Sequence, residues 1–266
     1  MDTKFIVLTG TAGSGKSTLT AALARFMEER GSIVARVNLD PAAEKLPYDP
    51  AVDVRSYVSA ASFMEEGLGP NGALIAAVDS LIEYVDSIRS EIDEYKADYC
   101  VIDTPGQLEL FAYRYGAPLV LKALIRDSQA VNVFLIDAVF VDTAANIVSA
   151  LTLASSVALR LGLPQVNVVS KADILLPEVR EELIPRLGEP GFLEYLLEKD
   201  KTVEGWRRAL IEALANAVES VGFIGEVLPV SAREDETLAA LYAKIQQVLA
   251  GGDDYRVYDA KPPEES

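Results

Sequence analysis

Residues Gly10-Thr11-Ala12-Gly13-Ser14-Gly15-Lys16-Ser17 lie between an apolar run, Phe5-Ile6-Val7-Leu8-Thr9, and a stretch of helical spacing that begins at Thr18. The pattern is G-x-x-x-x-G-K-S in the order strand, glycine loop, helix, and few folds accommodate it. Glycines let the backbone wrap close to a phosphate chain with its N–H groups turned inward, as at Gly13, Ser14 and Gly15. Lys16 then reaches the β- and γ-phosphates, Ser17 has the hydroxyl for Mg²⁺, and Thr18 opens a helix whose dipole favours negative charge. A nucleoside triphosphate site is the expectation.

Five further strand-like runs follow, Ser32–Asn38, Tyr99–Asp103, Val131–Asp137, Val166–Ser170 and Val227–Ser231, with amphipathic stretches between them. Leu74, Val78, Leu81, Ile82, Val85, Ile88 and Ile92 fall on one helical face; Ile147, Leu151, Ala154, Ala158 and Leu161 share another, as do Leu238, Leu241, Ile245 and Val248. Strand alternating with helix predicts an α/β fold. Its sheet is mainly parallel with helices on both faces, a three-layer α/β/α P-loop NTPase, and ligands bind outside the carboxyl ends of the strands. No convincing strand lies between Leu175 and Gly225, where prolines and glycines divide the chain into short helices. The expectation is one domain over residues 1–250 with a helical insertion at about 175–225, a lid or partner surface, and a disordered acidic tail at 251–266.

Several chemistries are excluded. The 266 residues contain no histidine and one cysteine, Cys100, so His-based catalysis, Cys/His zinc sites and internal disulfides are all ruled out. A net charge of −17 argues against nucleic acid or an anionic membrane as partner. The apolar stretches read as too short or too interrupted to span a bilayer, and Met1-Asp2-Thr3-Lys4 leads straight into the first strand. A cytoplasmic location is expected.

Asp103-Thr104-Pro105-Gly106-Gln107 follows one strand. A carboxylate there suits Mg²⁺ held through water, the Gly106 N–H suits a γ-phosphate oxygen, and Gln107 or Glu109 suits the attacking water. Asp40 ends the second strand, and a parallel sheet puts its carboxylate on the same edge as Ser17 and Asp103, beside the metal or that water. Ser170-Lys171-Ala172-Asp173 and Ser231-Ala232 end two later strands. A carboxylate such as Asp173 accepts from guanine N1–H and its 2-amino group; adenine offers neither and leaves the buried acid unpaired. The Lys171 stem can lie along the base, and the Ala232 amide can donate to O6.

Glycine loop, D-x-P-G, x-K-x-D and S-A, in this order, resemble a GTPase. With Gly69-Pro70-Asn71 ahead of the Leu74–Ile92 stretch and with Asn38-Leu39-Asp40-Pro41, the chain resembles the GPN-loop GTPases, in the branch related to signal-recognition-particle and MinD proteins. The resemblance implies a homodimer in which Asn71 of one subunit approaches the phosphates bound by the other. It also implies that Gln107, Glu109 and Asp40 manage the catalytic water while Lys16, Ser17 and Thr18 serve the phosphates and Mg²⁺. Relatives of that family are associated with RNA polymerase assembly or import. One departure stands out: Ser170 occupies a position where the family usually carries Asn.

GTP hydrolysis to GDP and phosphate is therefore expected, with slow intrinsic turnover and a role as a switch or assembly factor. A P-loop kinase with a small acceptor and a nucleotide-holding module without turnover are the alternatives. A nickel-delivery GTPase lacks its Cys/His cluster here, and three methionines do not make a signal-sequence-binding domain.

Overall fold

The apolar runs form a seven-stranded, all-parallel sheet in the computed structural model, which describes residues 3–114, 116–201, 203–220, 222 and 224–255. In chain order, β1 (Lys4–Gly10) leads to α1 (Lys16–Glu28), β2 (Val34–Asn38) and the short β3 (Val52–Asp53). Helices α2 (Ala60–Glu65), α3 (Pro70–Ser80) and α4 (Val85–Tyr95) precede β4 (Tyr99–Asp103), α5 (Leu108–Phe111), α6 (Gly116–Ile125) and β5 (Ala130–Asp137). Then come α7 (Ala144–Leu161), β6 (Gln165–Ser170), α8 (Phe192–Lys199), α9 (Gly205–Ser220), β7 (Val227–Val230) and α10 (Asp235–Tyr255).

The strand order is β3-β2-β4-β1-β5-β6-β7. From β1 the chain first builds outward through β2, returns to insert β4, and only then crosses to β5 on the other flank. The switch point at β1 opens a crevice at the strands' carboxyl ends, the place where such sheets bind ligands. Phe5, Val7, Cys100 and Ile102 bury one face under α3, α4 and α6. Ile6, Leu8, Val101 and Val133 bury the other under α1 and α10. Because both faces are covered, β1 reads as a continuous apolar run rather than an alternating one.

The six expected strands are present, with ends within two residues of those read from the sequence. Strand β3 is an addition to them; two residues on a sheet edge are too few to display a period. The stripe from Leu74 to Ile92 is two helices, α3 and α4, joined by a 3-10 turn at Leu81–Tyr84. At the end of α3, Ser80 donates its hydroxyl to the Ala76 carbonyl at 2.8 Å.

Two other expectations are corrected. Helix α7 is long and apolar enough, by length and composition, to cross a membrane. Its Ile147, Val148, Leu151, Ala154 and Val157 face is buried against β5, β6 and the helices that follow. Helix α10, held to the sheet by Leu238, Leu241, Ile245 and Leu249, runs on through Gly251 to Tyr255 rather than giving way to a tail at 251. Residues 256–266 of that tail lie outside the described residues.

Candidate functional site

The glycine loop leaves β1 at Gly10, where a Cβ would stand 2.6 Å from the Leu135 carbonyl oxygen of β5. Only glycine permits that approach. Gly15 closes the loop at φ +92°, a left-handed conformation, and caps α1. Lys16, 5% exposed, folds back over the loop, and its ammonium donates to the carbonyls of Gly10 (2.9 Å), Thr11 (3.1 Å) and Gly106 (3.5 Å). Burial pushes its pKa down, while Asp103 and Asp40 pull it back up. The buried Ser14 hydroxyl has no hydrogen-bond partner among the described residues.

Asp103 ends β4 between Leu8 of β1 and Asn38 of β2 and is 1% exposed. Its Oδ2 accepts from the Tyr48 hydroxyl at 2.9 Å, and its Oδ1 has no partner among the described residues. Burial raises its pKa; the Ser17 hydroxyl, the Tyr48 phenol and the Lys16 ammonium oppose that rise. The turn behind it is anchored by Thr104, which donates to the Leu8 carbonyl at 2.7 Å. Gly106 follows, then exposed Gln107, which precedes α5. Glu109 lies on α5, and its side chain falls outside the described residues. Asp40 is half-buried, its Oδ1 accepting from the Ala42 amide at 2.9 Å, and its charge is felt at both Lys16 and Asp103.

These residues fit Mg²⁺ in a restricted sense. Among the described residues no group of three His, Cys, Asp or Glu side chains forms a metal cage. One orphaned, buried carboxylate oxygen beside a serine hydroxyl and a lysine is the donor set for an ion bound mainly through phosphate and water.

Beyond the loop, a cavity of about 250 Å³ runs between Gly15, Thr18, Lys171, Asp173, Ala232 and Arg233. Lys171 adopts a left-handed backbone (φ 57°), which turns its stem across Gly15, and its ammonium pairs with Asp137 Oδ2 at 2.6 Å. Asp173 Oδ1 accepts from the Ser231 hydroxyl at 2.9 Å, and Oδ2 lies 3.3 Å from the Arg233 guanidinium. The carboxylate is thus aimed by one neutral and one cationic partner. Ser170 donates to the Ile136 carbonyl at 3.2 Å, so its hydroxyl is satisfied within the sheet.

Lys16, Ser17, Asp40, Asp103 and Gly106 therefore converge at the carboxyl ends of the strands, with Ser170, Lys171, Asp173 and Ala232 around the adjoining cavity and buried Ser231 behind Asp173. Asn71 does not join them. It is exposed in the first turn of α3, and neither it nor Gln107 makes a side-chain hydrogen bond among the described residues. Three contributors escape a reading of the sequence: Tyr48, Asp137 and Arg233. Asp137 ends β5 as Asp103 ends β4, so the same strand-end rule applied to it would have found it. Tyr48, in a stretch rich in Pro and charge, and Arg233, at the edge of a turn, carry no spacing signal.

Comparison with known proteins bears on this geometry. A family profile described as "conserved hypothetical ATP binding protein" matches residues 8–251. A protein described as GPN-loop GTPase 3 in Eremothecium gossypii is 30% identical over 252 residues, spanning 93% of this chain and 92% of its own length. Its namesake in Kluyveromyces lactis is 32% identical over 249 residues, 91% of this chain and 90% of its own. The crystal structure of an apo-form GTPase from Pyrococcus abyssi is 30% identical and superposes with a TM-score of 0.81, covering 92% of this chain and 97% of that one. The profile's description mentions ATP, whereas the individual relatives are named for GTP.

Proposed function

Given that the chain belongs to the GPN-loop GTPase family and is a GTP hydrolase, we propose that it works as a Mg²⁺-dependent homodimeric switch or assembly factor with slow intrinsic turnover. One observation carries the metal and phosphate part of this reading. The Lys16 ammonium, the orphaned Asp103 Oδ1 and the Gly106 turn meet where two different strands end. Ser17 and Asp103 would hold the metal, with Asp40 beside them, and the metal would supply charge neutralisation on the β- and γ-phosphates. Lys16 exchanges its carbonyl partners for phosphate oxygens and offsets charge developing on the β–γ bridge. Gly106 holds the γ-phosphate, and Gln107 with Glu109 orients the water for in-line attack.

Asn71 is neutral, and so is Gln107. A supplied arginine finger is worth about 10³–10⁵ in rate, and the slow-turnover reading rests on its replacement by such neutral groups. The homodimer reading rests on the family and on the uninterrupted exposed run from Met64 to Asn71. A buried dimer face would give that run its use.

The test is phosphate release from GTP and from ATP, with and without Mg²⁺, with sedimentation in parallel. We expect release from GTP alone, none in EDTA, loss in Lys16→Ala, and at least a tenfold slower rate in Gln107→Ala and Asn71→Ala. Equal turnover of ATP would reverse the base assignment. Full activity of a strictly monomeric protein would remove the dimer.

A further inference from the structure

The loop between β2 and β3, residues 39–51, is tied down along its length. At its start Leu39 N donates to the Asp103 carbonyl at 2.9 Å, and Asn38 bridges the Asp40 backbone to Asp53 Oδ1. In its middle Arg55 donates to the Ala43 carbonyl at 2.8 Å while it grips Asp53. At its end Ala51 N donates to the Arg36 carbonyl at 2.8 Å. Between these anchors one side chain crosses to the phosphate side of the sheet. Tyr48 inserts its ring beside a cleft shared with Thr18 and Pro47, and its hydroxyl meets Asp103 Oδ2.

That contact is chemically specific. Asp103 has two oxygens in a dry environment, and the phenol occupies one, leaving the other for the metal side. A carboxylate with one oxygen fixed by a donor cannot spin about its Cβ–Cγ bond, so the remaining oxygen keeps its direction. The same loop also carries Asp40. The bond from Tyr48 to Asp103 therefore joins the loop holding one acidic residue of the site to the strand end holding the other.

We propose that Tyr48 is a positioning residue for the metal: its hydroxyl locks Asp103 so that the free oxygen faces the ion. This deepens the reading above and rests on Asp103 being the metal-side carboxylate.

Tyr48→Phe removes the hydroxyl and keeps the ring. The measurement is Mn²⁺ binding by electron paramagnetic resonance in the presence of GDP, beside release of a fluorescent GDP across a Mg²⁺ titration. We expect the half-saturating metal concentration to rise about tenfold, the scale of one hydrogen bond to a charged group, while nucleotide affinity in EDTA stays within about twofold. In an Asp103→Asn background, adding Tyr48→Phe should have no further effect on metal binding. A half-saturation within twofold of the parent protein overturns the proposal. So does an equal loss of nucleotide affinity with and without metal, or a Tyr48→Phe effect undiminished in Asp103→Asn. Failure of the parent protein to bind guanine nucleotide at all would instead sink the underlying GTPase site, and the two failures are told apart by the EDTA arm.

Discussion

Arg233 and Asp173 form an ion pair at the mouth of the cavity beyond the glycine loop, yet the Arg233 side chain is 83% exposed. Exposed pairs of this kind contribute about 0–1 kcal/mol, so the guanidinium would give way cheaply if Asp173 takes the N1–H and 2-amino group of guanine as proposed. The Ser231 hydroxyl, buried and fixed on Oδ1, is the partner that aims the acid. Arg233→Ala should therefore change GTP affinity by less than about threefold and leave the preference over ATP intact. Asp173→Ala should lose affinity for GTP by about a hundredfold or more and erase that preference, because the pairing groups of the base then face no acceptor. Competition against a fluorescent guanine nucleotide measures both. A tenfold effect of Arg233→Ala would show that the guanidinium itself holds the base. Lys16, Asp103 and Asp173 are visible in the sequence because each is tied by fixed spacing to a strand end. Tyr48 is not, since its chemistry exists only once the 39–51 loop folds back over β4. Ser170 is visible as a departure, but not the Ile136 carbonyl that satisfies it.

A polar ladder crosses the middle of the sheet and ties three strands together beneath the site. Thr9 of β1 donates to Asn132 Oδ1 of β5 at 2.8 Å, and Asn132 donates to Gln165 Oε1 of β6 at 2.7 Å. Gln165 passes the chain to Asn167 at 2.8 Å and to the Ala154 carbonyl of α7 at 3.0 Å. Asn167 completes it on the Ile224 carbonyl, just before β7. Every amide in it is satisfied, as buried Asn132 and Asn167 demand, while Gln165 is half-buried. Asn132→Ala leaves the buried Thr9 hydroxyl unpaired and removes the donor to the half-buried Gln165 carbonyl, at a cost of about 2–3 kcal/mol. A fall in melting temperature of roughly 4–10 °C should follow in a domain of this size. A change below about 0.5 kcal/mol by denaturant titration would mean that water replaces the lost amide. Nothing in the sequence marks these residues, because Asn and Gln inside apolar strands look like interruptions until the register pairs them. The strands themselves are legible from continuous apolar runs, and the helices from their stripes. The break at Leu81–Tyr84 is not, since apolar spacing continues across it.

At the scale of the whole molecule, the segment between β6 and β7 must sense what happens on the phosphate side if this protein is a switch. The structure offers a contiguous route. Gly106, proposed to hold the γ-phosphate, leads into α5; Leu108 of that helix and Ala112 just after it pack in the same buried cluster as α7. Arg160 of α7 donates to the carbonyls of Ala112 and Tyr113, each at 3.3 Å, and clamps the end of α5 to that helix. Helix α7 in turn packs against α9. If the γ-phosphate shifts the Gly106 turn, the shift would reach α9 through packed helices rather than through a loose loop, and packed helices move as units. The chain's single tryptophan, Trp206, sits at the start of α9 and is 76% exposed, so its emission reports that helix without any label. We expect its fluorescence to differ between the complexes with GDP and with a non-hydrolysable GTP analogue. In Arg160→Ala the difference should shrink by at least half while nucleotide affinity stays within about threefold, because the substitution cuts the clamp and leaves the site untouched. Identical emission in the two complexes of the unaltered protein would detach the helical segment from the nucleotide altogether, and the partner surface of a switch would then have to be sought on another face.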